Sequence, residues 1–386
     1  MSRALNIAFD ARHYGDFGFG TYIRNLIGAL AEIDHTNQYR LIAKPGDVER
    51  LKDLPPNFKA IPYPRADNDP ADNIAFPLFL RKPRPDLTHI PLNSVPVFMP
   101  KPYVVTIHDL GSLLFNQSTE WKAQLHTYRF RRGLTRASRV IAVSGSTQRD
   151  VENIVGVPSS RIRRIYNAID PKFQVCEPIR GGGPQDTKKE VRETLERFSI
   201  TYPYILYAGT IRPQKNIARL VEAFAVVRGE LENHPKYKDL RLLIIGDEIS
   251  KHPEIRREVI RTRTQQTVRF LGFVEIETLR VFYESAEAFV FPSLYEGFGL
   301  PPLEAMSSGT PVITSSVSSL PEVVGDAAMI VNPENVFDIA RGIKEVLLDP
   351  MLRSSLIEKG YERLSMFRWR HTAQQVLEVY QEAAGG

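Results

Sequence analysis

The sequence predicts an α/β protein of two domains, each a doubly wound parallel sheet. Three observations lead there. The 386 residues exceed what one ordinary hydrophobic core organises, so two domains of similar size are expected. The second half alternates apolar strand-like runs with helical segments, and that pattern places a parallel sheet between layers of helix. Between the halves the texture breaks: the run from Cys176 to Lys189 holds Pro178, then Gly181 to Pro184 as Gly-Gly-Gly-Pro, then charge, which reads as a linker. The expected division is 1–178, a linker over 179–200, a second domain over 201–366 and a terminal helix over 367–386.

Composition narrows the class. With 42% apolar and 25% charged residues and no low-complexity tract, the chain is expected to fold as a soluble globular protein. No apolar run approaches the ~20 residues that a membrane helix needs. The opening MSRALNIAFDAR passes directly into a strand pattern, so no signal peptide is expected. One cysteine, Cys176, excludes an internal disulfide and a cysteine-based zinc cluster. A cytoplasmic location follows. The net charge of +5 is spread along the chain, and no nucleic-acid partner is expected. Two stretches are denser in cations: Lys122 to Arg139, with Arg129, Arg131, Arg132 and Arg136, and Arg256 to Arg269, with Arg257, Arg261 and Arg263. The first also carries Trp121, Tyr128 and Phe130. It reads as a solvated helix face, with peripheral contact to the inner face of a membrane as the alternative.

The chain opens on a buried strand, Leu5 to Ala11, followed by RHYGDFGFG and the helical pattern TYIRNLIGALAEI. Gly15, Gly18 and Gly20 lie in that turn, where backbone must bend sharply and can approach a ligand. By itself the loop reads as structural. Strands are expected at Tyr39 to Lys44, Lys59 to Tyr63, Asp86 to Ile90 and Tyr103 to Ile107, the last ending in His108-Asp109. Ligands of parallel sheets bind beyond the carboxyl ends of the strands, so this pair is placed for chemistry; a capping histidine is the bland alternative. A helix from Glu120 to about Thr135 precedes a strand from Arg139 to Val143, with Ser144 or Ser146 as the next helix cap. Another strand, RIRRIYNAID, is expected to end near Asp170.

In the second half, strands are expected at Tyr204 to Ala208, Leu240 to Ile245, Val268 to Val274, Ala288 to Phe291, Pro311 to Ser315 and Ala328 to Val331. The first turn reads AGTIRPQKN. Gly209 starts it, and Pro213, Lys215 and Asn216 open a helix. A lysine at a helix N-terminus can neutralise a diphosphate and the charge that develops as a nucleotide leaves. The stretch FPSLYEGFGLPPLEAM, from Phe291 to Met306, ends a strand, turns through Gly297 and Gly299, and restarts as a helix at Pro301-Pro302, where a proline loses nothing by lacking N–H. Glu296 in the loop and Glu304 in the first helical turn then flank an N-terminus that favours an anion. Two carboxylates beside a phosphate site suit the hydroxyls of a ribose and a sugar. Ser318, Ser319 and Leu320 follow a strand end within reach of a nucleotide, although Pro321-Glu322 more simply starts a short helix. The tail is helical, with Ala373, Leu377, Tyr380 and Ala384 on one face.

Glu296 and Glu304, with seven residues between them inside PS-x-YEGFG-x-P-x-LEAM, resemble the E-x7-E signature of the retaining glycosyltransferases of family 4. The resemblance covers nearly the whole chain and is strongest from Gly209 to Pro333. It implies the GT-B architecture, two Rossmann-like doubly wound domains facing across a cleft, with sugar nucleotide mostly on the second, acceptor mostly on the first, and the last helix crossing back to the first. It also implies a donor-phosphate role for the first glycine loop, where Asp10, Gly18 and Gly20 match, and a place for His108 at the reacting sugar. AVS-x-x-S-x-x-D resembles a segment of mainly structural role. Ala168 stands where relatives commonly have the glycine of N-G-I-D. Thr210 stands where many have an arginine that acts with the lysine, and the turn resembles the G-T-x-x-P-R-K-N form of bacterial mannosyltransferases with Gln214 in place of its arginine. Arg212 is the candidate substitute.

The resemblance thus implies a retaining hexosyltransferase of surface polysaccharide synthesis, with His108, Glu296 and Lys215 catalytic. Gly18, Gly20, Gly209, Thr210, Arg212, Lys215, Gly297, Phe298, Gly299, Leu300 and Glu304 would bind the donor. GDP-mannose is the favoured donor, a UDP-sugar the next, and the acceptor a glycan or lipid-linked saccharide. No Asp-x-Asp metal motif is present in a suitable loop, so no metal is expected. A sugar-nucleotide epimerase or a non-catalytic sugar-nucleotide-binding protein on the same fold are the other classes.

Overall fold

A computed structural model describes residues 3–16, 18–67, 69–115, 121–174 and 185–385. Of the expected linker, 179–200, residues 179–184 lie outside them, as does Cys176. Contacts divide the chain into two compact units, Met1–Asp170 with Phe367–Gly386, and Pro171–Met366.

The first unit contains β1 (Asn6–Asp10), α1 (Phe19–Ile33), β2 (Gln38–Ala43), β3 (Phe58–Pro62), α2 (Asp72–Phe79), β4 (Leu87–Ile90), β5 (Tyr103–Ile107), α3 (Gly111–Phe115), α4 (Trp121–Arg136), β6 (Arg139–Ala142), α5 (Gly145–Asp150) and β7 (Ile162–Arg164). The strands form one parallel sheet in the order β3-β2-β1-β4-β5-β6-β7. Every residue of β4 and β5 is buried, which explains why β5 reads as an apolar run and not as alternation. Ser144 caps α5, its Oγ accepting from the Thr147 N–H at 3.0 Å.

The second unit contains α6 (Pro171–Gln174), α7 (Gln185–Arg197), β8 (Tyr204–Ala208), α8 (Ile217–Glu230), β9 (Arg241–Ile245), α9 (Pro253–Arg261), β10 (Val268–Gly272), α10 (Ile276–Ser285), β11 (Ala288–Phe291), α11 (Leu300–Ser307), β12 (Val312–Ser315), α12 (Leu320–Val324), β13 (Ala328–Val331), α13 (Val336–Leu348) and α14 (Pro350–Leu364). Its parallel sheet runs β10-β9-β8-β11-β12-β13. The strand order reverses at β8 and β11, and in the first unit at β1 and β4. Such switch points are where open α/β sheets bind ligands. The last helix, α15 (Trp369–Ala384), packs on α1, β4 and β5 of the first unit.

Two expectations are corrected. The strand expected to run to Asp170 ends at Arg164. Beyond it α15 takes the backbone that a strand would have paired: Thr372 Oγ1 donates to the Tyr166 carbonyl and Trp369 Nε1 to the Ile169 carbonyl, both at 2.8 Å. The buried face of α15 is Trp369, Thr372, Ala373, Val376, Val379, Tyr380 and Ala383. Leu377 and Ala384 flank that face, because the helix lies over β4 and β5 along the 369-372-376-379-383 row.

Candidate active site

In the second unit the turns after β8 and β11, the two strands at the switch point, converge. Gly209 follows β8 with φ +151°, and a Cβ there would lie 3.2 Å from the Tyr207 hydroxyl and 3.6 Å from the Phe291 ring, so only glycine is unstrained. Thr210 is exposed, its carbonyl held by Tyr207 Oη at 3.1 Å, and the Ile211 N–H donates to Asp247 Oδ2 at 3.0 Å. The chain then makes a single 3-10 turn, Pro213–Lys215, and passes through Asn216 at φ +62° into α8. The Asn216 amide donates to the Pro292 carbonyl at 3.0 Å and the Pro333 carbonyl at 2.7 Å, binding the loops after β11 and β13 to this turn. The Leu294 N–H bonds the Gln214 carbonyl at 2.7 Å.

These ties bring Lys215 Nζ to 2.6 Å from Glu296 Oε1 and 5.3 Å from the centre of the Phe291 ring. The two side chains are only 16% and 11% exposed, so their attraction is screened less than that of a surface pair. The two groups expected at the phosphate and at the sugar are thus adjacent. Arg212 is exposed and makes no ion pair among the described residues.

The loop that carries Glu296 is fixed from α12. Ser318 Oγ accepts from the Glu296 N–H at 3.1 Å and donates to its carbonyl at 2.6 Å, and Ser319 Oγ donates to the Glu296 and Phe298 carbonyls at 3.0 and 2.7 Å. These serines hold the loop in shape, whereas the sequence reading set them within reach of a nucleotide. Gly299 caps α11 at φ +105°, where a Cβ would come 2.7 Å from Leu320 Cδ2. The helix starts at Leu300 with no side-chain cap. Of the four positions whose N–H groups a helix end leaves open, Pro301 and Pro302 lack N–H, so Gly299 and Leu300 alone offer donors there. Glu304 is the fifth residue, at the start of the second turn and not in the first as expected. The Tyr283 hydroxyl donates to its Oε2 at 3.0 Å. Burial, with that carboxylate next, raises the phenol's pKa well above its usual value, so Tyr283 remains a donor.

Gly18, Gly20 and His108 lie in the first unit. Gly18 caps α1 at φ +72°. Gly20 is already inside α1, and a Cβ on it would come 2.5 Å from the His13 carbonyl oxygen. His108 follows β5 and packs edge-on to Phe19 and Tyr22, with ring centroids 5.1 and 4.6 Å away. Its Nε2 is buried without a hydrogen-bond partner, while the ring bonds the Pro91 carbonyl. The proton therefore sits on Nδ1, and Nε2 presents a lone pair. Burial lowers the pKa to about 4, so the ring is neutral near pH 7. Asp109 accepts from the Gly111 N–H at 2.7 Å at the start of α3, and its charge opposes the lowering of the His108 pKa.

Asp10 has no exposed surface and is held by Arg12, with Nε at 2.9 Å from Oδ1 and an Nη at 2.7 Å from Oδ2. Arg12 also bonds Asp72 at 2.7 Å and lies over Phe76 at 4.4 Å. Sequence reasoning missed this buried triad, because Asp72 is far along the chain and no local pattern announces it. Phe130 of the basic helix α4 is buried, Tyr128 is exposed, and the side chains of Trp121 and Lys122 lie outside the described residues. Among the described residues no helix is long and apolar enough to cross a membrane.

Residues 18–173 match the family described as Glycosyltransferase Family 4, and residues 191–363 match Glycosyl transferases group 1. An uncharacterized glycosyltransferase of Methanocaldococcus jannaschii is 32% identical over 303 residues, 73% of this chain and 70% of that protein. The chain belongs to glycosyltransferase family 4. Other members are similar in part: the O-antigen chain mannosyltransferase B of Escherichia coli is 31% identical over 249 residues, 64% of this chain. The match spans 61% of that relative's length. Sucrose-phosphate synthase from Thermosynechococcus elongatus, 24% identical, superposes with TM-score 0.74 over 98% of both chains, so this family 4 protein shares its fold. The two parallel-sheet units are those of a GT-B glycosyltransferase.

Proposed function

We propose that this family 4 protein is a retaining mannosyltransferase that moves mannose from GDP-mannose to a glycan or lipid-linked saccharide in surface polysaccharide synthesis. The observation that carries the reading is the Lys215–Glu296 pair at 2.6 Å, set between the turns after β8 and β11 at the switch point of the second sheet. The G-T-x-x-P-x-K-N turn and the similarity to an O-antigen chain mannosyltransferase favour mannose. In this reading Lys215 turns to the diphosphate with Arg212 as its partner cation, and Glu296 takes the hydroxyls of the transferred sugar. Glu304, oriented by Tyr283, takes the ribose. Gly209, Thr210 and the backbone from Gly297 to Leu300 let the donor approach closely, as do Gly18 and Gly20 in the first unit. His108 offers Nε2 to a sugar hydroxyl. The bond between C1 and the phosphate oxygen breaks, the acceptor oxygen bonds C1 on the same face, and its proton passes to the leaving diphosphate. No metal is needed, because Lys215 supplies the charge.

The test is a melting-temperature panel of GDP, UDP, ADP and dTDP with their sugars, followed by turnover with candidate acceptors. GDP-mannose at a hundredfold excess over Kd stabilises wild type by about 2.7 kcal/mol. Lys215→Ala loses the shift, chelator changes nothing, and the product keeps the anomeric configuration. A shift with a UDP-sugar alone overturns the donor. Binding without turnover on any acceptor leaves a binding protein, and an inverted product or a trapped glycosyl-enzyme in Glu296→Gln overturns the mechanism.

A further inference from the structure

On the first unit, α2 turns an apolar side outward. Ile74 and Leu78, one helical turn apart, are 57% and 48% exposed, and Phe98, in the loop that the Asn73 side chain holds through the Val97 N–H at 3.1 Å, is 61% exposed. The three line one cavity of about 400 Å³. Other large exposed apolar residues, such as Phe337 and Met351, do not line it. The rest of its lining includes Arg81, Arg84 and Lys101, all exposed, and no acidic residue. None of these cations forms an ion pair with a described residue; the nearby acids are spent elsewhere, Asp72 on Arg12 and Asp86 on Arg3. Exposed apolar side chains beside cations that pair with no described residue match the layered chemistry of a bilayer surface, acyl chains below phosphate.

We propose that this face, formed by α2 and the loop around Phe98, docks the protein on a bilayer that carries anionic headgroups. Ile74, Leu78 and Phe98 enter the headgroup boundary, and Arg81, Arg84 and Lys101 meet the phosphates. The proposal does not depend on the donor or the reaction assigned above, since none of these residues belongs to the candidate active site.

Vesicle co-sedimentation of the full chain tests it, with phosphatidylcholine vesicles against vesicles that also contain phosphatidylglycerol. Wild type pellets with the anionic vesicles, and less as salt rises. Leu78→Ser with Phe98→Ser abolishes binding. Arg81→Glu with Lys101→Glu weakens it by at least about 25-fold, from about fivefold for each cation removed. Both double variants melt at the wild-type temperature, which separates lost docking from lost folding. Absence of wild-type binding, equal binding to uncharged vesicles, or binding retained in both variants overturns the proposal. So does loss of binding on Arg129→Glu with Arg131→Glu instead, which puts the contact on α4. A wild-type dimer that these variants dissociate, without lipid binding, gives the face to a second copy and overturns it as well.

Discussion

Two histidines of the first unit show how one side chain type takes opposite charge states. His89 has no exposed surface; its Nδ1 lies 2.6 Å from the Tyr380 hydroxyl and its Nε2 2.8 Å from Thr106 Oγ1. Burial first, then the neighbouring His108, lowers its pKa from 6.5 to about 3. His13 is the reverse case. Nδ1 faces Asp16 at 2.6 Å and Nε2 faces Asp67 at 3.2 Å, two acceptors that both receive a proton only from the imidazolium, and the hydrogen bond to Asp67 leads in raising its pKa. The signs differ accordingly. His89 binds its proton more readily unfolded, so its contribution is complete above pH 6.5 and is lost as pH falls towards about 3. His13 contributes fully below its unfolded pKa, and its contribution goes as pH rises through the folded one. Urea denaturation between pH 7 and pH 5 is expected to show stability falling with acid. His89→Gln removes about 1.4 kcal/mol per pH unit from that slope below the unfolded pKa, and His13→Asn steepens the fall only near and above its own unfolded pKa, leaving the slope towards pH 5 as in wild type. An unchanged slope in His89→Gln shows that the buried ring is already charged.

At the scale of elements, the site depends on how α11 begins. Gly299 at φ +105° turns the chain sharply enough for the helix to start at Leu300 directly after the loop that carries Glu296. Gly299→Ala places a side chain in a backbone region where it is strained and against Leu320, and is expected to cost about 1–3 kcal/mol. In the proposed function it also weakens the donor's effect on melting, which nucleotide titration of the variant measures; full stability and full response exclude a special role for this residue. Much of this element was legible. Glycine and proline act locally, so the turn and the helix start follow from Phe291 to Met306 alone, to within one residue. The length of β7 was not legible, because its three residues share the run RIRRIYNAID with backbone that α15 claims through Trp369 and Thr372.

At the scale of the molecule, the last twenty residues belong to the unit that the chain left at Asp170. Four side chains of α15 fasten it there: Trp369 and Thr372 to carbonyls, Tyr380 to His89, and Glu382 to Arg139 and Arg163 at 2.9 Å each. Trp369 is 7% exposed and edge-on to Tyr22, whose ring in turn packs on His108. Trp369→Ala is expected to destabilise the first unit by about 3–5 kcal/mol. In calorimetry this appears as an earlier transition of that unit with the second unit's melting unchanged; a shift of both together shows that the units unfold as one.

The sequence alone determined where most strands lie, that they form parallel sheets in two units, and which turns carry Lys215 and Glu296. These follow from local rules, since a fully buried strand needs a continuous apolar run and a sharp turn needs glycine or proline. Only the tertiary structure decided how the charges are spent. Asp10 is committed to Arg12 and through it to Asp72, sixty positions from Arg12, and Lys215 meets Glu296 across eighty-one. Asp109 accepts from the Gly111 N–H at the start of a helix, and the cations around Ile74, Leu78 and Phe98 remain unpaired with any described residue. A charged side chain reaches several ångströms and pairs with whatever the fold brings near it. Its partner is therefore fixed by strand order and helix packing, which no window of sequence contains.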